Sequence, residues 1–281
     1  MEYILYTTYY VASDERRNEE NAICLKNNIA HPLITKIYLF LQNDDAPDYA
    51  QVPKVETVQL GKRPEFADFF AHSNADSATK GKRKVIANSD IYFTDTLSLL
   101  DEVNLHKKII TLTRWDLKTD GSNVFYNKYL SQDVWIFEDR IPEKTGRYYI
   151  GQHGCDNRLL KELDDDGFHI ENPSLVVKTI HVHMSEARPY FDDHNYQYVP
   201  GPYLYSFPSG MHRPMQLCWW KITDKQRYNR YAYNLKDYFY IRFEYNLGKS
   251  KNALKHFNFT RIERAAASFK TLYYYLRFKI S

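Results

Sequence analysis

The chain has 281 residues, 38 Lys and Arg against 35 Asp and Glu, and an unusual load of aromatics, with 25 Tyr and 16 Phe. That length allows one large domain, or one domain with a sizeable appendage, and no run approaches the roughly 20 apolar residues that would span a bilayer. Three cysteines, far apart and odd in number, argue against a disulfide framework and for a reducing compartment such as the cytoplasm.

Residues 3–11, rich in Tyr, Thr, Ile and Val, predict a first strand, and residues 1–8 lack the basic and apolar regions of a signal peptide. Ser13 or Asp14 can cap a helix that runs to about His31, before Pro32. Residues 34–41 predict a second strand and 55–58, by alternation, a third. Residues 63–70 read as helical, with a polar loop after them through 73–81. Val85, Ile86 and Ala87 are too few for a helix and read as a strand buried on both faces. Thr94 or Asp95 then caps a short helix carrying Leu97, Leu99 and Leu100. Strands are expected at 108–113, 131–137 and 175–183, and a helix at 157–163. This order predicts an α/β sheet built from crossover units. The compact part is expected over 1–190, with 191–281 as a C-terminal extension.

The chemistry-bearing residues fall at strand ends. Asn88, Ser89 and Asp90 follow the strand at 84–87, where ligands gather in open α/β sheets. Asn88 and Asp90, two apart in extended chain, project the same way. A carboxylate and an amide suit a hard cation such as Mn2+ or Mg2+, and local turn bonds explain the same residues. Gly151 and Gly154 let the chain turn tightly before Asp156, which stands where an N-cap would. His181 and His183 share a face of their strand, as satisfied polar groups or as metal ligands. Trp115 with Asp116, and Asp133 with Trp135, are aromatic–carboxylate pairs of a kind that suits sugar rings. Core packing explains either Trp equally well.

The stretch Asn88-Ser89-Asp90-Ile91-Tyr92-Phe93 resembles the metal-binding signature of GT-A-fold glycosyltransferases, usually Asp-x-Asp, as written in a bacterial and viral branch of that family. Asn88 stands here in place of the first acid, and Thr94 where relatives often carry another. The resemblance covers about residues 1–190. It implies a GT-A-like, Rossmann-like mixed sheet and a metal-dependent transfer of a sugar from a nucleotide donor, UDP-linked, to a hydroxyl of a glycan acceptor, with inversion. It designates Asp90 and His183 for the metal, with His181 as the alternative or as support. Arg63 with Phe66 would grip the nucleotide, through phosphate or carbonyl oxygens and a stacked base. Thr8, Asn88 and Ser89 are further candidates on the donor side. Asp156 would be the base that takes the acceptor's proton, with Asp133 and then Asp116 next in line.

Two rival readings are a nucleotide-sugar or glycan-binding protein without turnover, which Asn88 keeps open, and a nucleotidyltransferase. The latter needs a Gly-rich loop after the first strand, and residues 9–13 contain no Gly. From Met211 onward, 15 Lys and Arg face 4 Asp and Glu, a net of +11, which leaves 3 − 11 = −8 for the first 210 residues. In the last 33 residues aromatics are interleaved with the cations. A helix from about Arg261 would place Ile262, Ala265, Phe269, Leu272 and Leu276 on one stripe. Such a tail packs on the catalytic domain or makes a peripheral membrane contact. No nucleic-acid-binding module is recognisable in it.

Overall fold

The computed structural model describes residues 1–42, 46–126, 130–183, 198–206 and 208. The chain opens with β1 (Tyr3–Tyr9) and α1 (Glu15–Ala30), followed by β2 (Ile34–Leu41) and β3 (Val55–Gln59). Asp14 caps α1 by accepting from the Arg16 backbone N–H at 3.0 Å, as the sequence predicts. α2 (Phe66–Ala75) begins and ends later than expected, because Glu65 and Asp68 form a reciprocal capping box that sets its first turn. β4 (Arg83–Ala87), β5 (Ile91–Phe93), β6 (Lys108–Leu112), β7 (Trp115–Leu117), β8 (Asn123–Phe125) and β9 (Val134–Phe137) follow. α3 (Cys155–Asp165), β10 (His169–Glu171) and β11 (Thr179–His181) complete the described elements.

The expected α/β architecture is present: a large mixed sheet flanked by helices. Its strand order is β10-β6-β9-β4-β1-β2-β3, so β4 is the middle strand, and all five of its residues are buried. β9 runs antiparallel to both β4 and β6, and the other pairings are parallel. One apolar cluster carries Leu25 of α1 on one face of this sheet. A second, with Phe66, Phe69, Phe70, Leu159 and Leu160, packs α2 and α3 on the other. A smaller sheet, β5-β11-β7-β8, has its own core of Trp115, Phe125, Leu175 and Ile180. Asn28 of α1 closes the outer edge of β5, donating to Ile91 O at 2.8 Å and accepting from Phe93 N at 3.2 Å. No helix among the described residues is long and apolar enough to cross a membrane.

Buried charge at the start of β4 has a structural use. Arg83 reaches the carbonyls of Leu100 and Val103, the latter at 2.7 Å, and so satisfies the end of the 3₁₀ turn at Asp95–Leu100. The expected long strand at 175–183 shrinks to β11. The N–H groups of Val176 and Val177 both bond Pro173 O in a turn, at 3.0 and 2.9 Å, so they cannot join a ladder. The expected boundary near residue 190 lies outside the described residues. Beyond it, residues 198–206 return to α3, with Val199 N on His153 O at 3.0 Å and Leu204 N on Asn157 O at 2.9 Å. Gly154, at φ +80°, admits this strap: a Cβ there would stand 3.3 Å from Tyr203 and from Val199 O. The basic tail and its expected helix lie outside the described residues.

Candidate functional site

The chain leaves β1 toward β2 and β3 and returns to β4 on the other side, which makes the gap between β1 and β4 a topological switch point. Side chains from six segments meet beyond the carboxyl ends of these strands. Asn88 to Ile91 is a β-turn, closed by Ile91 N on Asn88 O at 3.2 Å, and the expected extended triplet is not formed. The turn sends its two polar side chains to different partners. Asn88 Nδ2 donates to Asp133 Oδ1 at 2.9 Å, and its backbone N–H bonds Asp133 O at 3.1 Å. Asp90 instead faces α1 and β11.

Asp90 Oδ2 lies 2.9 Å from Arg17 Nη1 and 3.2 Å from His181 Nε2, and Asp90 Oδ1 is buried without a partner. Burial alone would raise the carboxyl's pKa, but His181 and Arg17 hold it well below the usual carboxylate range. His181 Nδ1 bonds Asp116 Oδ1 at 2.9 Å, so one imidazole is clamped between two acids. Against the cost of burial, Asp90 and Asp116 push its pKa up to about 9. Arg114 completes the cluster, with Nε 3.1 Å from Asp116 Oδ1 and Nη1 3.2 Å from Asp133 Oδ1. Burial opposes ionisation of Asp116, yet His181 and Arg114 hold its pKa down.

Asp156 has a different setting. Gly154 is the N-cap of α3 and Asp156 lies two residues on, within the first turn, so the expected capping role is corrected. Its carboxylate accepts from Gln132 N at 3.2 Å and from Cys155 Sγ at 3.0 Å. No arginine, lysine or histidine bonds it in the described residues. Burial pushes its pKa up to about 6, and the neighbouring Asp133 charge adds to the rise.

Of the histidines, His181 is buried and touches Asp90, while the first choice, His183, is exposed, with its ring stacked on His181 at 5.3 Å. β11 ends at His181, which leaves His183 beyond the ladder. Phe66 is corrected outright. It is fully buried, edge-on to Trp135 at 4.7 Å, so no face is open to a base. Arg63 turns inward too, donating to Ile150 O at 2.7 Å beside the Tyr149 ring. Trp115 and Trp135, at 5% and 1% exposure, serve cores and offer no sugar platform. Thr8 Oγ1 bonds Phe40 O at 3.2 Å at the end of β1, and Ser89 is half-buried in the turn.

Sequence reasoning missed Arg17, Glu20 and Arg114. Glu20 is fully buried and bonds Arg17 Nη1 at 2.8 Å. The available signal was position: Arg17 lies in the first turn of the helix after β1, and Arg114 directly follows a strand.

Among the described residues no three His, Cys, Asp or Glu are arranged around one point to hold a metal ion. The donor types nevertheless fit the hard divalent cation that the motif implies. Carboxylate oxygens and an imidazole are in contact, and the buried Asp90 Oδ1 has no partner.

No protein-family model matches the sequence, and no curated protein is similar to it at a significant level. Solved structures similar to it include S. aureus TarS 1–349 in complex with UDP-GlcNAc (12% identity, 66% of this chain and 60% of that one, TM-score 0.45). Another is the mannosyltransferase PcManGT from Pyrobaculum calidifontis in complex with GDP-Man and Mn2+ (11% identity, 67% and 58%, TM-score 0.42). A third is GalNAc-T7 with UDP, GalNAc and Mn2+ (6% identity, 69% and 46%, TM-score 0.43). The chain spans less than two thirds of each of these structures.

Proposed function

We propose that this chain is a glycosyltransferase that moves a sugar from a nucleotide donor, UDP-linked, to a hydroxyl of a glycan acceptor with inversion. One observation carries the reading. At a switch point of the sheet, an acid held ionised by cations (Asp90) shares a strand-end edge with an acid pushed up toward neutral pH (Asp156). Two carboxyls driven apart in this way suit a charge-handling role and a proton-handling role in one reaction.

Asp90 and His181, with His183 beside them, would hold the divalent cation, Mn2+ or Mg2+. When bound, that ion supplies positive charge to the departing diphosphate. Arg114 orients both Asp116 and Asp133 and helps hold the Asp116 carboxyl ionised, and Asp116 in turn fixes the His181 ring. Asp156 accepts the proton of the acceptor hydroxyl as that oxygen attacks the anomeric carbon. A carboxylate with a pKa near 6 is both ionised and basic at neutral pH. Asp133 and Asp116 are weaker candidates for the base, since Arg114 already bonds both. Thr8, Asn88 and Ser89 border the donor side. Among the described residues, the exposed rings of Tyr149 and Tyr198, on the loop before α3 and on the strap that packs against it, offer aromatic surface to an acceptor. The basic tail is proposed as a peripheral membrane contact for a cytoplasmic enzyme.

A thermal-shift panel of nucleotide sugars, with and without Mn2+, tests the reading, because a ligand of the folded state raises its melting temperature. A Mn2+-dependent rise with UDP-sugars, together with transfer or slow hydrolysis of the same donor, is expected. Binding without any turnover would establish a non-catalytic sugar-nucleotide binder instead. No shift with any donor overturns the proposal.

A further inference from the structure

Cys155 opens α3 with its side chain buried at 1% exposure, and its Sγ lies 3.0 Å from Oδ1 of the next residue, Asp156. Burial and the adjacent Asp156 charge push the thiol well up, so the sulfur keeps its proton and is the donor. The Gly151 backbone N–H faces the same sulfur from the turn before the helix, where Gly151 takes φ +74°. With that N–H on the sulfur and solvent excluded, the S–H is left for the carboxylate. On the other side the Gln132 N–H bonds Asp156 Oδ2 at 3.2 Å. Each oxygen of Asp156 thus has its own neutral donor, one from α3 and one from the loop before β9.

The other acids at this edge are held differently, since Arg114 bonds both Asp116 and Asp133. A guanidinium orients a carboxylate and takes away its basicity as well, whereas a thiol is a weak, uncharged donor that orients at little such cost. Resting on the reading of Asp156 as the base, we infer that Cys155 is a positioning residue: its thiol, with the Gln132 N–H opposite, fixes the Asp156 carboxylate without neutralising it. Two charged neighbours complete the setting. Asp133, just ahead of β9, opposes ionisation of Asp156 and is itself paired with Arg114. Arg63, ahead of α2, acts on the sulfur. Substitution of Cys155 leaves all three in place.

NMR of the aspartate carboxyl carbons in full-length protein, followed between pH 4 and 8, reads the Asp156 midpoint without turnover. The signal is identified by its loss in Asp156→Asn. The wild-type midpoint is expected at about 6. Cys155→Val fills the thiol's space without a donor and should move the midpoint up by about one pH unit, the scale of a lost hydrogen bond to a charged group. Cys155→Ser keeps a donor and should hold the midpoint at or below the wild-type value. If Val overpacks the site and the chain folds poorly, Cys155→Ala takes its place, with the same upward shift expected. The acid limb of kcat/KM should follow the midpoint. Cys155→Val would then lose about tenfold at pH 5 and progressively less toward pH 8.

An unmoved midpoint in Cys155→Val and Cys155→Ala overturns the inference, because the thiol then has no hold on the carboxylate. The same upward shift in Cys155→Ser overturns it too, since packing alone would explain the effect. The functional reading is judged separately, by whether turnover follows the carboxyl. A midpoint that moves as expected while the acid limb stays fixed takes the base role from Asp156 and leaves the thiol's hold on it standing. An unmoved midpoint, with an acid limb that vanishes in Asp156→Asn, would do the reverse.

Discussion

The strand-end edge around Asp90 and the first turn of α3 around Asp156 each carry a carboxylate near the same end of the sheet, and they treat it oppositely. Around Asp90, cations arrive from α1 and β11, and the carboxyl stays ionised. Around Asp156, the partners are a thiol and a backbone N–H, and burial outweighs the hold that these neutral donors have on the charged form. The lesson is that neither acid's role follows from its type or from its place after a strand or turn. It follows from whether a cation from elsewhere in the chain meets it.

The sharpest way to break this contrast is to delete the ionised member. Asp90→Ala should lower Mn2+-dependent binding of a nucleoside diphosphate by roughly 100-fold or more, the scale of losing a charged ligand and its contacts. Equal Mn2+-dependent binding by wild type and Asp90→Ala, read by calorimetry, would remove Asp90 from the metal site. Asp156→Asn, by contrast, should leave donor binding intact and cut transfer by about 100-fold or more, as loss of a general base does. Because Gly154 caps α3, helix content by circular dichroism should be unchanged. Wild-type turnover in this variant would shift the base to Asp133.

A pH series sharpens the comparison at smaller amplitude. The acid limb of kcat/KM should fall near pH 6 and vanish in Asp156→Asn. Stability has a definite sign as well. The Asp156 carboxyl holds its proton more tightly folded than unfolded, so its contribution is most favourable below about 3.8 and declines as pH climbs toward about 6. The full change is on the order of 3 kcal/mol. Urea unfolding between pH 4 and 7 should show this slope in wild type and a flatter curve in Asp156→Asn. The smallest effect is expected at Asn88. Asn88→Ala loses one hydrogen bond to Asp133 and should cost about 1 kcal/mol of stability and only a few-fold in donor binding.

Local sequence determined much of this protein. The apolar runs at 34–41 and 108–112 became β2 and β6 because a buried strand needs only a short, continuous hydrophobic stretch. Asp14 stops the preceding loop and starts α1 through a single side-chain bond. The strand–polar-triplet pattern at 84–90 correctly put Asp90 at the carboxyl end of the middle strand. What only the tertiary structure decided is which groups meet there. Arg17 and Asp90 are 73 residues apart, and His181 and Asp90 are 91 apart. Phe66 reads from sequence as a stacking ring and is core, because β9 brings Trp135 against it. Asp156 reads as a cap and is a half-buried acid with a raised pKa, because Gly154 takes the cap and Cys155 and the Gln132 backbone close around its carboxylate. Local propensity acts over a few bonds, whereas pKa, pairing and exposure depend on which distant strand ends the topology gathers at one edge.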